Sequence, residues 1–257
     1  MIALVVLLCF TCREKKISDK AFRIITILVS LVLILLEVYK QVVYTYNPNT
    51  NKVDYQWYAF PFQFCSTPMY VMFLAGLVRP GKFREWCCDF LGTFGLLAGL
   101  LVMIMPGDVF NDERIGIAFQ TMIHHGSMVV MGVFMWVSGR AKPKILSALK
   151  ALAVFSVLVL IAIILNEVVY ACGVLVPQHE TFNMFFISRH FPSTLPVFST
   201  IYGQVPWIVF LLIYIVGFGV GALVITLIAM FIDWICKKVA YKKNNNSTHV
   251  DGERIKY

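Results

Sequence analysis

Apolar runs separated by short polar segments extend along almost the whole chain. Six of these runs are long enough to cross the hydrocarbon core of a bilayer, which needs about 17–25 helical residues. They lie at about residues 21–44, 57–78, 88–105, 115–138, 148–176 and 205–233. A seventh run, residues 2–12, would reach only about 16 Å at about 1.5 Å per residue. We expect it to be a shortened first helix, from a start codon placed too late. The pattern predicts an all-α membrane protein, a bundle of about seven transmembrane helices.

Composition leads to the same class of protein. Of the 257 residues, 59% are hydrophobic and only 14% are charged, and the mean hydropathy is +0.77. Soluble domains carry about 25% charged residues, so this chain lacks the polar surface to face water on all sides.

The positive charges predict how the helices are oriented. All but four of the 22 lysines and arginines fall in segments 13–23, 79–84, 140–150 and 237–257. Positive residues concentrate on the cytoplasmic side of membrane proteins, which predicts an amino terminus outside and a carboxyl terminus in the cytoplasm. The net charge of +8 then reflects topology and not nucleic-acid binding. Residues 1–238 are predicted to form the helix bundle, and the polar residues 239–257 a disordered cytoplasmic tail.

No metal, cofactor or disulfide framework is predicted. Cys9 and Cys12 have CxxC spacing, but no second pair completes a zinc site. The number of cysteines is odd, and most lie near the reducing inner face.

Polar side chains within the apolar runs are the informative positions, because each is costly in lipid unless it has a partner. Glu37, Cys65, His125, Asn166 and Glu167 lie about 10–17 Å below the outer ends of their predicted helices. Two interpretations are open at this point. The layer is either a hydrogen-bond network that joins helices, with both glutamates protonated or paired with His125, or a polar cavity that holds a reactive centre.

A cysteine and a histidine at one depth offer nucleophilic catalysis. The imidazole of His125 would take the thiol proton of Cys65, and the thiolate would attack a carbonyl to form a thioester. Glu37 or Glu167 would orient that imidazole as a third member. On a helix, the side chain of the neighbouring His124 points about 100° away from that of His125 around the helix axis.

Two local features shape the surroundings of this layer. Pro68 cannot donate a hydrogen bond to the Phe64 carbonyl, which predicts a helix kinked beside Cys65. Segment 177–204 is long, aromatic-rich and intermittently polar, which is typical of a lid or re-entrant segment on the outer side.

Short elements of the chain resemble motifs of the YwaF-like integral membrane proteins, which are related to the transmembrane protein 164 acyltransferase family. Residues 60–65 (FPFQFC) stand in place of a Leu-Pro-Leu-His-Leu-Cys element, and residues 124–126 (HHG) in place of Ser-His-Gly. Residues 183–187 (NMFFI) match Asn-Tyr-Met-Phe-Leu, and residues 202–207 (YGQVPW) match Gly-Pro-Trp-Pro-Trp. Glu37 corresponds to a glutamate late in the second helix of that family.

The resemblance implies acyl transfer between phospholipid and lysophospholipid substrates, which we expect in the plasma membrane and without a cofactor. By resemblance, Cys65 would accept the acyl group and His125 would be its base. Gln63 stands where the family has a histidine, so the role of that ring is either lost or shifted to His124, and Met184 replaces a tyrosine. The candidate substrate-binding residues are Gln63, His124, Asn166, Asn183, Arg189 and His190, with Arg189 suited to a headgroup phosphate.

Two other functions fit the same sequence. A proton-coupled transporter would use Glu37, His125 and Glu167 as a relay across the membrane. A noncatalytic lipid-binding protein would hold Cys65 and His125 far apart.

Overall fold

The computed structural model describes residue 5 and residues 17–47, 51–104, 114–175 and 180–254. Its helices are α1 Asp19–Thr45, α2 Thr67–Leu77, α3 Lys82–Phe90, α4 Leu96–Ile104, α5 Ile115–Val137, α6 Ile145–Ala171, α7 Phe198–Ile201 and α8 Trp207–Arg254. A π-helical turn, Leu91–Gly95, joins α3 to α4, and single 3-10 turns lie at Trp57–Ala59 and Met184–Phe186. Strands β1 (Tyr46–Asn47) and β2 (Lys52–Val53) form a short antiparallel hairpin.

Five helices in the described part of the chain are long and apolar enough to cross a membrane. They are Asp19–Thr45, Lys82–Ile104, Ile115–Val137, Ile145–Ala171 and Trp207–Val239. The prediction of a multi-pass helical membrane protein is therefore confirmed. The segment 2–12 lies outside the described residues, and the total of seven helices and their orientation stay predictions.

The apolar run at residues 57–78 does not form a spanning helix. Only Thr67–Leu77 is helical, and 11 residues reach about 16 Å, half of a bilayer core. Pro68 lies in the first turn of α2, where a missing N–H costs nothing. The helix therefore begins beside this proline. The prediction of a longer helix kinked at this point is wrong, because residues before Thr67 do not continue the helix.

The last helix extends beyond the predicted end of the bundle. The backbone of α8 is helical from Trp207 to Arg254, and the division of the chain into a bundle at residues 1–238 and a tail at residues 239–257 stays a prediction. No proline or glycine lies between residues 222 and 251, so the backbone contains no residue that breaks a helix there.

The described helices pack into one bundle around α5 and α6. Helix α1 contacts α2 and α5, α4 contacts α5, and α6 contacts both α3 and α8. Gly99 on α4 allows the close approach to α5, since a Cβ there would lie 2.8 Å from the carbonyl oxygen of His125. The position of His125 thus depends on a close helix contact.

A buried aromatic cluster fills the centre of the bundle. The rings of Phe94 and Phe155 stack at 4.5 Å, and Phe64 meets Phe218 edge-on at 4.9 Å. Phe185 joins the same cluster from the segment between α6 and α7, 5.9 Å from Phe64. Because Phe64 precedes Cys65, this cluster fixes the base of the turn that carries the thiol.

One end of the bundle is held by ion pairs around Asp19. The guanidinium groups of Arg84 and Arg140 both pair with its carboxylate, and both lie over the ring of Phe22. Arg23 donates to the carbonyl of Gly76 at 2.9 Å. These contacts join α1, the end of α2, α3 and the segment after α5, and we call this region the Asp19 end.

We expect Asp19→Asn to lower the thermal unfolding midpoint by several degrees, because the Arg84 side chain is only 4% exposed and would lose its charge partner. The measurement is thermal unfolding of the detergent-solubilised protein. Asp233→Asn is the matched control: it breaks the exposed pair with Lys237, and exposed pairs contribute little. Equal midpoints for the two variants would contradict the prediction.

Candidate functional site

Cys65 lies on a non-helical turn that leads into α2. The backbone N–H groups of Ser66 and Thr67 donate to the carbonyl of Gln63 at 2.8 and 3.1 Å. The hydroxyl of Thr67 donates to the Phe64 carbonyl at 3.0 Å, the group that Pro68 leaves without its helical donor. The carbonyl expected to be free is therefore satisfied.

The histidine that contacts Cys65 is His124. Its Nε2 lies 3.0 Å from the carbonyl oxygen of Cys65, whereas Nδ1 of His125 lies 2.9 Å from the Thr121 carbonyl one turn back on α5. Cys65 is partly exposed and both histidines are buried. Within the described residues, no hydrogen bond joins either ring to the Cys65 sulfur. The pairing of Cys65 with His125 stays a prediction.

These contacts fix the tautomer of each ring. A carbonyl oxygen only accepts, so the nitrogen that faces it carries the hydrogen, and in a neutral ring the other nitrogen has a free lone pair. The lone-pair nitrogens are then Nδ1 of His124 and Nε2 of His125. Both are buried, and neither has a hydrogen-bond partner among the described residues. Two proton-accepting atoms are thus buried on α5 without a donor among the described residues, and the ring that carries one of them is bonded to the Cys65 turn.

Glu37 is buried on α1 and is paired with its own helix. Its carboxylate is 2.7 Å from the ammonium of Lys40 and accepts from Gln41 at 2.9 Å. Gln41 also donates to the Ala59 carbonyl at 2.6 Å and accepts from the hydroxyl of Tyr55 at 3.1 Å. Burial, together with the Glu37 charge, raises the pKa of Tyr55, so this hydroxyl stays a donor. Glu37 therefore ties α1 to the segment before the Cys65 turn.

Lys40 is a buried-side partner that the sequence did not indicate. Counting charges by segment placed it among the outer loops, yet its ammonium pairs with the buried carboxylate of Glu37 at 2.7 Å. Its side chain is only 19% exposed. A lysine near the outer end of an apolar helix is ordinarily an interfacial residue, and only the fold shows that it turns inward.

Glu167 does not belong to the buried layer. Its carboxylate is 3.1 Å from Nε2 of His190 and 3.5 Å from Nε of Arg189. The ring of His190 stacks on Tyr170 at 3.5 Å, and the guanidinium of Arg189 lies over Trp207 at 5.1 Å. These residues form a second, partly exposed cluster, which we call the Glu167 cluster. Its carboxylate makes no hydrogen bond to His124 or His125, so the predicted relay has no direct link here.

The three amides that were candidates for substrate binding hold a buried protein loop. Gln63 donates to the carbonyl of Asn183 and accepts from the N–H of Phe185, each at 3.0 Å. Asn166 accepts from the Met184 N–H at 2.7 Å and donates to its carbonyl at 3.1 Å. Asn183 accepts from the Ser188 N–H at 2.8 Å and donates to the Pro192 carbonyl at 2.9 Å. All three are positioning residues for residues 182–188.

This loop carries backbone strain. Phe185 and Phe186 have φ of 59° and 58°, the left-handed region that side chains rarely adopt, at a cost of about 1–3 kcal/mol each. Such a conformation persists only where the surrounding contacts over-determine it, and the amides of Gln63 and Asn166 supply those contacts. The re-entrant interpretation of segment 177–204 agrees with the buried Phe182, Met184 and Phe185.

A family model described as the TMEM164 family matches residues 1–238. The chain belongs to the TMEM164 family. Comparison with curated proteins and with solved structures finds no match. The resemblance to transmembrane protein 164 is thereby confirmed, and the relation to YwaF-like proteins stays a prediction.

The motif segments of this TMEM164-family chain converge in the structure. Residues 60–65 bond to residues 183–187 through Gln63, and residues 124–126 bond to Cys65 through His124. In segment 202–207, the Tyr202 hydroxyl donates to the Ser188 carbonyl at 3.0 Å and the Trp207 indole donates to the Ile187 carbonyl at 2.9 Å. The sequence indicated these segments but not which of their side chains hold one another in place.

Proposed function

We propose that this TMEM164-family protein is a phospholipid acyltransferase in which Cys65 carries the acyl group as a thioester. One observation supports the proposal: Cys65 lies on a partly exposed turn that is bonded to His124, and His124 and its neighbour His125 each have one buried ring nitrogen without a partner among the described residues. Buried polar atoms are nearly always satisfied. In this proposal the two nitrogens exchange protons with the thiol and with the substrate.

The chemistry proceeds in two balanced steps. An imidazole accepts the thiol proton, the thiolate attacks the ester carbonyl of a phospholipid, and the ester C–O bond breaks. The lysophospholipid alkoxide leaves with the proton from the imidazolium. In the second step the hydroxyl of another lysophospholipid gives its proton to the imidazole and attacks the thioester carbonyl, and the thiolate leaves and is reprotonated.

Lys40 supplies positive charge to both steps. The thiolate and the oxyanion that forms on the attacked carbonyl are negative, and a fixed cation in a poorly solvated site stabilises such charge. The Glu37 carboxylate at 2.7 Å holds this ammonium in place. In this proposal Glu37 acts through Lys40 and is a positioning residue, in place of the earlier expectation that it orients an imidazole.

The Glu167 cluster is proposed to bind the headgroup of the substrate. The Arg189 side chain is 53% exposed, and its ion pair uses Nε, which leaves the terminal nitrogens for a phosphate. We expect this activity in the plasma membrane.

The experiment is capture of the acyl-enzyme. The purified protein is incubated with a phosphatidylcholine that carries an alkyne-tagged acyl chain, and labelled peptides are mapped before and after hydroxylamine treatment. We expect hydroxylamine-sensitive label on Cys65, absent in Cys65→Ser and retained in the control Cys172→Ser, since Cys172 is an exposed cysteine outside the turn. Acyl transfer without label on Cys65, or label that persists in Cys65→Ser, would overturn the thioester route.

A further inference from the structure

The Asp19 end of the bundle presents cations that have no ion-pair partner. Five lysine and arginine side chains are exposed there and form no salt bridge within the described chain: Lys20, Arg79, Lys82, Lys142 and Lys144. They lie on segments that the contacts of Asp19 and Arg23 hold together. Their charges therefore belong to one fixed surface.

The acidic side chains at this end do not neutralise that surface. Asp19 is paired with Arg84 and Arg140, and the Lys150 ammonium is 2.5 Å from Glu85 and 4.0 Å from Asp89. Arg84, Arg140 and Lys150 thus neutralise these carboxylates, and the five exposed cations do not take part. The surface keeps an excess of positive charge that an external anion would balance.

Neighbouring side chains indicate that the anion is a lipid headgroup. Phe83 and Trp86, on the first turns of α3, are 59% and 39% exposed. Exposed aromatic rings beside cations at the end of an apolar helix are typical of the membrane interface. A soluble anion would gain nothing from these rings, whereas a phospholipid offers a phosphate to the cations and acyl chains to the rings.

We propose that the Asp19 end binds anionic phospholipid headgroups of the adjacent leaflet. The binding is electrostatic, and each lysine or arginine near such a surface strengthens it about fivefold. This surface is separate from Cys65 and the Glu167 cluster, so the proposal does not depend on acyl transfer.

The test is native mass spectrometry of the full chain in neutral detergent, titrated with phosphatidylserine or with phosphatidylcholine. We expect a lower Kd for phosphatidylserine, and the difference should shrink as salt rises from about 0.1 M to about 1 M, where the Debye length falls from about 10 Å to about 3 Å. Replacing all five cations with glutamine should raise the Kd for phosphatidylserine at least about tenfold. Lys52→Gln, an exposed lysine on the β2 hairpin, is the matched control and should change nothing.

Two arms keep the result interpretable. Exchange of the four lysines for arginine retains the charge and should retain the preference for phosphatidylserine, even where the glutamine variant fails to fold. Inorganic phosphate at the same concentration should not compete, because it lacks the acyl chains. Equal Kd values for the two lipids, an unchanged preference in a folded glutamine variant, or displacement by inorganic phosphate would overturn the proposal.

Discussion

Replacing Cys65 with alanine is expected to lower acyl transfer by at least about 10³-fold, because no other group can carry the acyl chain once the nucleophile is gone. The measurement is the transfer of a labelled acyl chain from phosphatidylcholine to a lysophospholipid by the purified protein. Folding should be unaffected, since backbone bonds from Ser66 and Thr67 to Gln63 hold the turn. The unfolding midpoint should therefore match that of the wild type.

Cys172→Ser is the control for this experiment. Cys172 is exposed at the end of α6, away from the turn, and its loss should leave transfer unchanged. If Cys65→Ala transferred acyl chains at the wild-type rate, the covalent mechanism would be abandoned. If Cys172→Ser lost activity equally, the loss of transfer in Cys65→Ala would be attributed to the removal of any cysteine and not to the removal of the nucleophile.

Replacing Asn166 with alanine is expected to destabilise the loop at residues 182–188 and with it the site. The Met184 N–H would lose its partner at 2.7 Å, and an unsatisfied buried donor costs about 1–3 kcal/mol. The left-handed conformation of Phe185 would also lose a restraint. We expect a lower thermal unfolding midpoint, and faster hydrogen exchange at residues 182–188 than in the rest of the protein.

Ser156→Ala is the matched control on the same helix. The Ser156 hydroxyl donates to the Leu152 carbonyl at 2.9 Å, a bond within α6 that supports no distant segment. Its loss should change the midpoint little and should leave exchange in the loop unaltered. The same result for Asn166→Ala would show that the loop does not depend on the amide.

Most of the helical architecture could be predicted from the apolar runs, since length and hydropathy alone determine which helices can span a bilayer. The run at residues 57–78 was interpreted wrongly, because its apolar residues line a turn and pack onto aromatic rings instead of forming one helix. That turn is held by contacts with distant segments, such as those of Gln63 with Asn183 and of the Cys65 carbonyl with His124. A pattern of hydropathy contains no information about these partners.

The position of a residue along its helix could be predicted from the sequence, whereas the direction of its side chain could not. Asn166 and Glu167 are consecutive, so their side chains diverge by about 100°: one is buried against the loop and the other faces Arg189. The same ambiguity concerns His124 and His125. The sequence indicated that an imidazole lies near Cys65, and the fold shows that the contact is made by His124 to a backbone carbonyl.

The bonds from Gln63 to the loop have a consequence for the biogenesis of the protein. Gln63 and Asn183 are 120 residues apart, and contacts between distant residues form late because the intervening chain must first be ordered. During synthesis, α2 through α6 emerge before the loop exists. The strained phenylalanines can adopt their conformation only after those helices have assembled, so a nascent chain that ends before the loop would enter the membrane with the Gln63 amide lacking both of its partners.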